Sequence, residues 1–126
     1  MKDQELYDMG VEAMQKSYSP YSKYKVGAAV LTKCGKVFKG CNVENSSYGA
    51  TICGERTAIV KAVSEGYRDF EAIAVCGSDD VPSFPCGICR QFIFEFGSDI
   101  RIIMLDENKQ MITYKISELL PKGFRL

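Results

Sequence analysis

The chain has 126 residues, 46% of them hydrophobic, which suits a single domain with a sizeable core. Sixteen Lys and Arg offset sixteen Asp and Glu, so there is no basic block for a polynucleotide backbone. No stretch is long and apolar enough to span a membrane, and the start Met1-Lys2-Asp3-Gln4-Glu5 has no apolar signal region. Six cysteines are then expected to be cytoplasmic thiols, some of them on a metal, rather than a secreted disulfide framework.

Taken in order, residues 3–16 predict an amphipathic helix with Leu6, Met9, Ala13 and Met14 on one side. Gly10 costs that helix about 1 kcal/mol relative to alanine, so packing must hold it. The run Ser17-Tyr18-Ser19-Pro20-Tyr21-Ser22 ends it in a turn. Residues 25–31 form an apolar run expected to be a strand buried on both faces. Residues 33–36 reverse it into a second strand, 37–41, making a hairpin. If the chain stays extended beyond that hairpin, the two-residue period puts Asn42 and Glu44 on one face.

A helix over 53–65, carrying Ala58, Ile59, Ala62 and Val63, is stopped by Gly66. Residues 70–76 read as a buried strand and 78–84 as a polar loop. A second helix over 85–96 is stopped by Gly97. Strands at 100–105 and 111–114 follow, then a helical turn over 117–120 capped by Ser117. The hairpin is antiparallel, while the strand–helix–strand units imply parallel pairing. The expected architecture is α/β: one domain over residues 1–126, with three α-β-α layers and a mixed five-stranded sheet.

The chemistry concentrates in Cys53-Gly54-Glu55-Arg56 and Pro85-Cys86-Gly87-Ile88-Cys89-Arg90. A helix beginning at Pro85 would put the sulfurs of Cys86 and Cys89 on one face. With Cys53 they make a soft, three-thiolate site for a tetrahedral metal such as zinc. The chain has no histidine and only one Cys-x-x-Cys, so the fourth position is expected to be open to water, as in catalytic sites. Cys53 and Glu55 can serve one centre only if Cys53 starts a helix and Glu55 lies in its first turn. Two other readings are a redox dithiol at Cys86 and Cys89, and a structural zinc completed by Cys76.

Together with Ser19-Pro20-Tyr21-Ser22, Gly40-Cys41-Asn42-Val43-Glu44-Asn45 and Leu119-Leu120-Pro121, these motifs resemble the small, three-cysteine form of the zinc-dependent cytidine deaminases. The resemblance implies the cytidine deaminase-like fold, one Zn²⁺ per subunit on Cys53, Cys86 and Cys89, and hydrolysis of cytidine and deoxycytidine to the uridine forms in pyrimidine salvage. Another aminopyrimidine, such as a nucleoside antibiotic, is a close alternative substrate. Glu55 would move protons from water to N3 and then to the departing amine. Arg56 would draw charge from a site carrying three thiolates, and Asn42 and Glu44 would hold the ribose. The backbone N–H of Gly54, often alanine in the family, would contact the base. Tyr24, commonly phenylalanine there, would line the substrate site. Tyr48 and Phe124 would reach a neighbouring subunit's site within a homotetramer, with Phe124 stacking on the pyrimidine. The expected partners are a free nucleoside, water and further copies of the chain, not nucleic acid or membrane. Cys34, Cys41 and Cys76 have no role in the family and are expected to be small apolar residues.

Overall fold

The structure is a computed structural model that describes residues 1–79 and 82–126. Its elements run α1 (Asp3–Met14), β1 (Val26–Thr32), β2 (Val37–Cys41), a 3-10 turn (Tyr48–Ala50), α2 (Gly54–Ser64), β3 (Phe70–Gly77), α3 (Gly87–Phe94), β4 (Arg101–Leu105), β5 (Met111–Lys115) and α4 (Ile116–Leu119). The expected loop over 78–84 includes residues 80 and 81, which lie outside the described residues.

The five strands form one sheet in the order β2-β1-β3-β4-β5. β1 is antiparallel to both β2 and β3, β3 is parallel to β4, and β4 is antiparallel to β5. The expectation of parallel pairing therefore holds for β3–α3–β4 and fails for β2–α2–β3, because β1 lies between β2 and β3. Burial explains the insertion. β1 reads Val-Gly-Ala-Ala-Val-Leu-Thr and is buried from Gly27 to Thr32, so both of its faces need cover and both of its edges need a partner. β2 is only half-buried over most of its length and can serve as an edge.

Alternation along β1 divides the core into the expected three layers. Ala29 and Leu31 join Leu6, Ala72, Ala74 and Ile103 under α1. Ala28 and Val30 face the other way, onto Ala58, Ile59, Ala62, Ile93 and Ile116 of α2, α3 and α4. Gly10 has a packing reason: a Cβ there would lie 2.7 Å from Cys76 Sγ, and one on Gly27 only 2.0 Å from the Gly10 carbonyl oxygen. The helix backbone lies directly on the sheet at this crossing, and that contact offsets the propensity cost.

Helix ends differ from the expected ones. α1 stops at Met14, two residues early, and α3 at Phe94 rather than Phe96. Gly66 and Gly97 lie beyond α2 and α3 at φ of 96° and 152°, as stops. α3 starts at Gly87, not Pro85, because Cys86 is extended (φ −66°, ψ 171°) and its sulfur accepts from the Cys89 N–H. Cys53 likewise precedes α2 with extended backbone (φ −74°, ψ 154°). At α4 the cap position is Lys115, not Ser117; the Glu118 carboxylate reaches back to accept from the Lys115 N–H at 2.8 Å. Among the described residues, no helix is long and apolar enough to cross a membrane.

Candidate active site

α2 and α3 begin side by side, and their first residues carry the thiols. Cys53 and Cys86 occupy the two N-cap positions and Cys89 lies in the first turn of α3. All three sulfurs lie within 4.8 Å of one another, with Cys53 and Cys86 3.7 Å apart. Free N–H groups at each helix start favour negative charge there, and one of them donates from Cys89 to the Cys86 sulfur at 3.5 Å. Arg56, one turn into α2, donates through Nη2 to Cys53 Sγ at 3.5 Å and to the Thr51 carbonyl at 3.2 Å. Hydrogen bonding from the Cys89 thiol, and then from Arg56, draws the Cys53 thiol down to about 5. Cys89 is pushed the other way, because it keeps the proton that it shares with Cys53 and is buried. The set is therefore three soft donors within reach of one another, a fit for a thiophilic tetrahedral ion such as zinc.

Cys76 does not complete that set. Its buried sulfur donates to the Tyr7 carbonyl of α1 at 3.4 Å, and the metal-capable group among the described residues holds Cys53, Cys86 and Cys89 without it. The structural-zinc reading with Cys76 as fourth ligand is thereby overturned: β3 directs this side chain toward α1. The redox-dithiol reading leaves the third sulfur and Arg56 without a purpose.

Glu55 follows Cys53 by two residues and is 3% exposed. Its Oε1 is buried and has no hydrogen-bond partner among the described residues. Burial, reinforced by charge on Cys53, lifts this carboxyl to about 7. An orphaned carboxylate oxygen beside three sulfurs is costly for folding and useful for proton transfer. The Nε of Arg56 is also buried without a partner.

A cavity of about 300 Å³ opens over this corner. Of the residues expected to act there, Tyr24, Asn42, Cys53, Glu55 and Cys86 line it. Asn42 is held rigidly: its Oδ1 accepts from Ser17 Oγ and from the Val26 N–H at 3.0 Å, and its Nδ2 donates to the Tyr24 carbonyl at 2.9 Å. Glu44 is not part of the lining. Its carboxylate accepts from Ser22 Oγ and from the N–H groups of Tyr21 and Ser22 at 2.9 and 3.1 Å, which keeps it below the usual carboxylate range. Gly54 is buried at the start of α2, where a Cβ would press on Val26 Cγ1 at 3.3 Å. Tyr48 and Phe124 lie outside the lining, 78% and 63% exposed. Tyr48 packs edge-on to Tyr21 with ring centroids 6.1 Å apart.

Val26, Thr51, Val75, Pro82, Ser83 and Phe84 complete the wall and were not singled out from the sequence. They come from strand ends and loops, which carry no periodic signal. Arg90 was also missed. Its guanidinium donates to the Pro85 carbonyl at 2.8 Å and the Leu119 carbonyl at 2.9 Å, bracing the turn that presents Cys86. Its place directly after Cys-x-x-Cys was the available signal.

Comparison with known proteins agrees with this geometry. Residues 1–105 match the family described as the cytidine and deoxycytidylate deaminase zinc-binding region. A cytidine deaminase of Sporosarcina psychrophila is 46% identical over 114 residues, 90% of this chain and 84% of that protein. One from Halalkalibacterium halodurans is 44% identical over 125 residues, 98% of this chain and 95% of its own. The crystal structure of a cytidine deaminase from Burkholderia pseudomallei superposes with a TM-score of 0.93 at 43% identity, covering 98% of this chain and 100% of that one. The three-sulfur corner is positioned to bind a metal, as a zinc-binding domain requires, and the chain belongs to the cytidine and deoxycytidylate deaminase family.

Proposed function

We propose that the protein hydrolyses cytidine and 2'-deoxycytidine to uridine and 2'-deoxyuridine with release of ammonia. The observation that carries this reading is the buried Glu55 carboxylate, its Oε1 without a partner among the described residues, in the lining of one cavity beside three clustered sulfurs. Cys53, Cys86 and Cys89 would hold the zinc, which would supply the Lewis acidity that makes water a nucleophile near neutral pH. Glu55 accepts a proton from the attacking water and passes it to N3 of the pyrimidine. It then takes the remaining proton from the oxygen added at C4 and passes it to the amino nitrogen as the bond from C4 to that nitrogen breaks. A carboxyl near 7 suits both directions of transfer. Arg56, hydrogen-bonded to Cys53, withdraws charge from a site that three thiolates would otherwise leave formally at −1.

Asn42 and Glu44 are read as the pair that orients the sugar hydroxyls. Tyr24 lines the cavity, and the Gly54 N–H is read as the group that meets the base edge. A free nucleoside fits better than a polynucleotide, since the chain has no net charge to attract phosphate and Glu44 would repel it. The role belongs to pyrimidine salvage in the cytoplasm. The working unit is read as a homotetramer of single-domain chains with one zinc in each. Large exposed aromatics at Tyr48 and Phe124 support that assembly, because each can find cover on a neighbouring subunit.

The test is to incubate zinc-loaded protein with cytidine and follow uridine. Turnover that disappears when the metal is stripped and returns with zinc is expected. No uridine from fully loaded protein would contradict the reading.

A further inference from the structure

Tyr24 lies just before β1 and uses every polar group it has. Its N–H donates to Ser22 Oγ at 3.0 Å, and that hydroxyl donates onward to the Glu44 carboxylate. Its carbonyl accepts from Asn42 Nδ2 at 2.9 Å. Its phenol oxygen lies 2.7 Å from Ser83 Oγ and donates to Asp79 Oδ1 at 3.1 Å. One residue thereby joins Asn42 and Glu44 on one side to the Ser83–Phe84 wall on the other.

Gly77 shows that the crossing is a built one. A Cβ there would lie 2.0 Å from Ser83 Oγ and 2.1 Å from the Tyr24 phenol oxygen. Only a residue without a side chain lets the two hydroxyls meet over the end of β3. Next to them the backbones are already tied, since the Lys25 N–H donates to Ser78 Oγ and the Ser78 N–H to the Lys25 carbonyl, each at 2.9 Å. The phenol adds a side-chain fastening that reaches further along the loop. Two residues beyond Ser83 comes Pro85, and then the sulfur of Cys86.

We propose that Tyr24 is a positioning residue whose hydroxyl fastens the Ser83–Phe84 wall to the Asn42–Glu44 side, fixing the width of the cavity before substrate enters. The phenol is engaged on Asp79 and Ser83, so its hydroxyl serves the wall of the cavity that Tyr24 lines. The proposal rests on the reading of that cavity as the nucleoside site. Fixing both walls in advance removes an ordering cost that substrate binding would otherwise bear. Phenylalanine keeps the ring and loses the fastening.

Tyr24→Phe, Ser83→Ala and the double variant, all zinc-loaded, test it by steady-state kinetics on cytidine and by amide exchange without substrate. Each single variant should raise KM by about 2- to 10-fold, the range for one lost hydrogen bond, with kcat falling less than KM rises. The double variant should be no worse than the more damaged single one, since both break the same link. Exchange across residues 82–87 should rise in both single variants, and this readout needs no turnover. Faster exchange in variants of a protein that does not deaminate cytidine would support the fastening and sink the substrate assignment instead. Unchanged exchange and KM in Tyr24→Phe would overturn the proposal. So would additive KM effects in the double variant, which would mean that the hydroxyl meets substrate independently of Ser83.

Discussion

At the residue scale, Glu55 is held in a state that folding alone would not choose. Its carboxyl lies near 7 in the folded protein against an ordinary value of 4.5, chiefly through burial. Below about pH 4.5 it is protonated whether folded or not, and it carries no penalty. Between 4.5 and about 7 the unfolded chain gives up the proton while the folded one keeps it, so stability falls as pH rises. Above 7 the full cost is present, on the order of 3 kcal/mol. Glutamine is neutral throughout. Zinc-free Glu55→Gln should therefore be more stable than the parent at pH 8 and nearly equal to it at pH 4, as read by denaturant unfolding. Equal stability at both values would mean that the carboxylate is solvated or paired. Arg56→Ala should keep zinc but lose activity by about 10-fold or more, with a shifted pH–rate profile, because the Cys53 sulfur loses its donor. An unaltered rate and profile would reduce Arg56 to a peripheral cation. The candidate residues were legible because three of the cysteines and one spaced carboxylate fall in two short motifs, while the roles given to them rest on the family resemblance. Ser83 and Thr51 were not, since a loop serine has the same signature whether or not it lines a cavity.

At the scale of elements, the zinc site is the meeting of two helix starts. Cys53 and Cys86 stand at cap positions, and of the three clustered cysteines Cys89 alone lies inside a helix. Placing Pro85 inside the helix treats the cysteines as helical residues. The thiol of Cys86 instead acts as the capping acceptor, which moves the start to Gly87. The same substitution of side chain for backbone misleads at α4, where Glu118 satisfies the Lys115 N–H and Ser117 caps nothing. Metal binding and helix order should then be coupled. Alanine at Cys53, Cys86 or Cys89 should bring zinc content from one per chain to near zero and lower thermal stability. Metal analysis on the purified variants checks this, and a variant with full zinc and activity would remove that residue from the ligand set.

At the scale of the molecule, periodicity and composition were enough for three layers and five strands, because β1 alternates between two cores. Strand order was harder to read. Local sequence pairs β1 with β2, but it does not say that β1 also takes β3; that follows from how completely β1 is buried. Assembly lies further still from local sequence. Phe124 is held through its carbonyl by Gln91 at 3.0 Å while its side chain stays exposed, a posture suited to reaching another subunit. Mixing a Glu55→Gln chain that has an intact tail with an intact-Glu55 chain truncated after Lys122 should give more activity than either parent. No rise, with mixed oligomers demonstrated, would confine Phe124 to its own subunit.

The most direct test of the whole account joins metal content to turnover in one comparison. Parent and Glu55→Gln proteins, each carrying one zinc per chain, are given cytidine and uridine is measured. The predicted result is steady uridine formation by the parent and a loss of at least about 10³-fold in the variant, the scale expected when proton transfer and water activation fail together. Zinc-loaded Glu55→Gln turning over at close to the parent's rate would contradict the account.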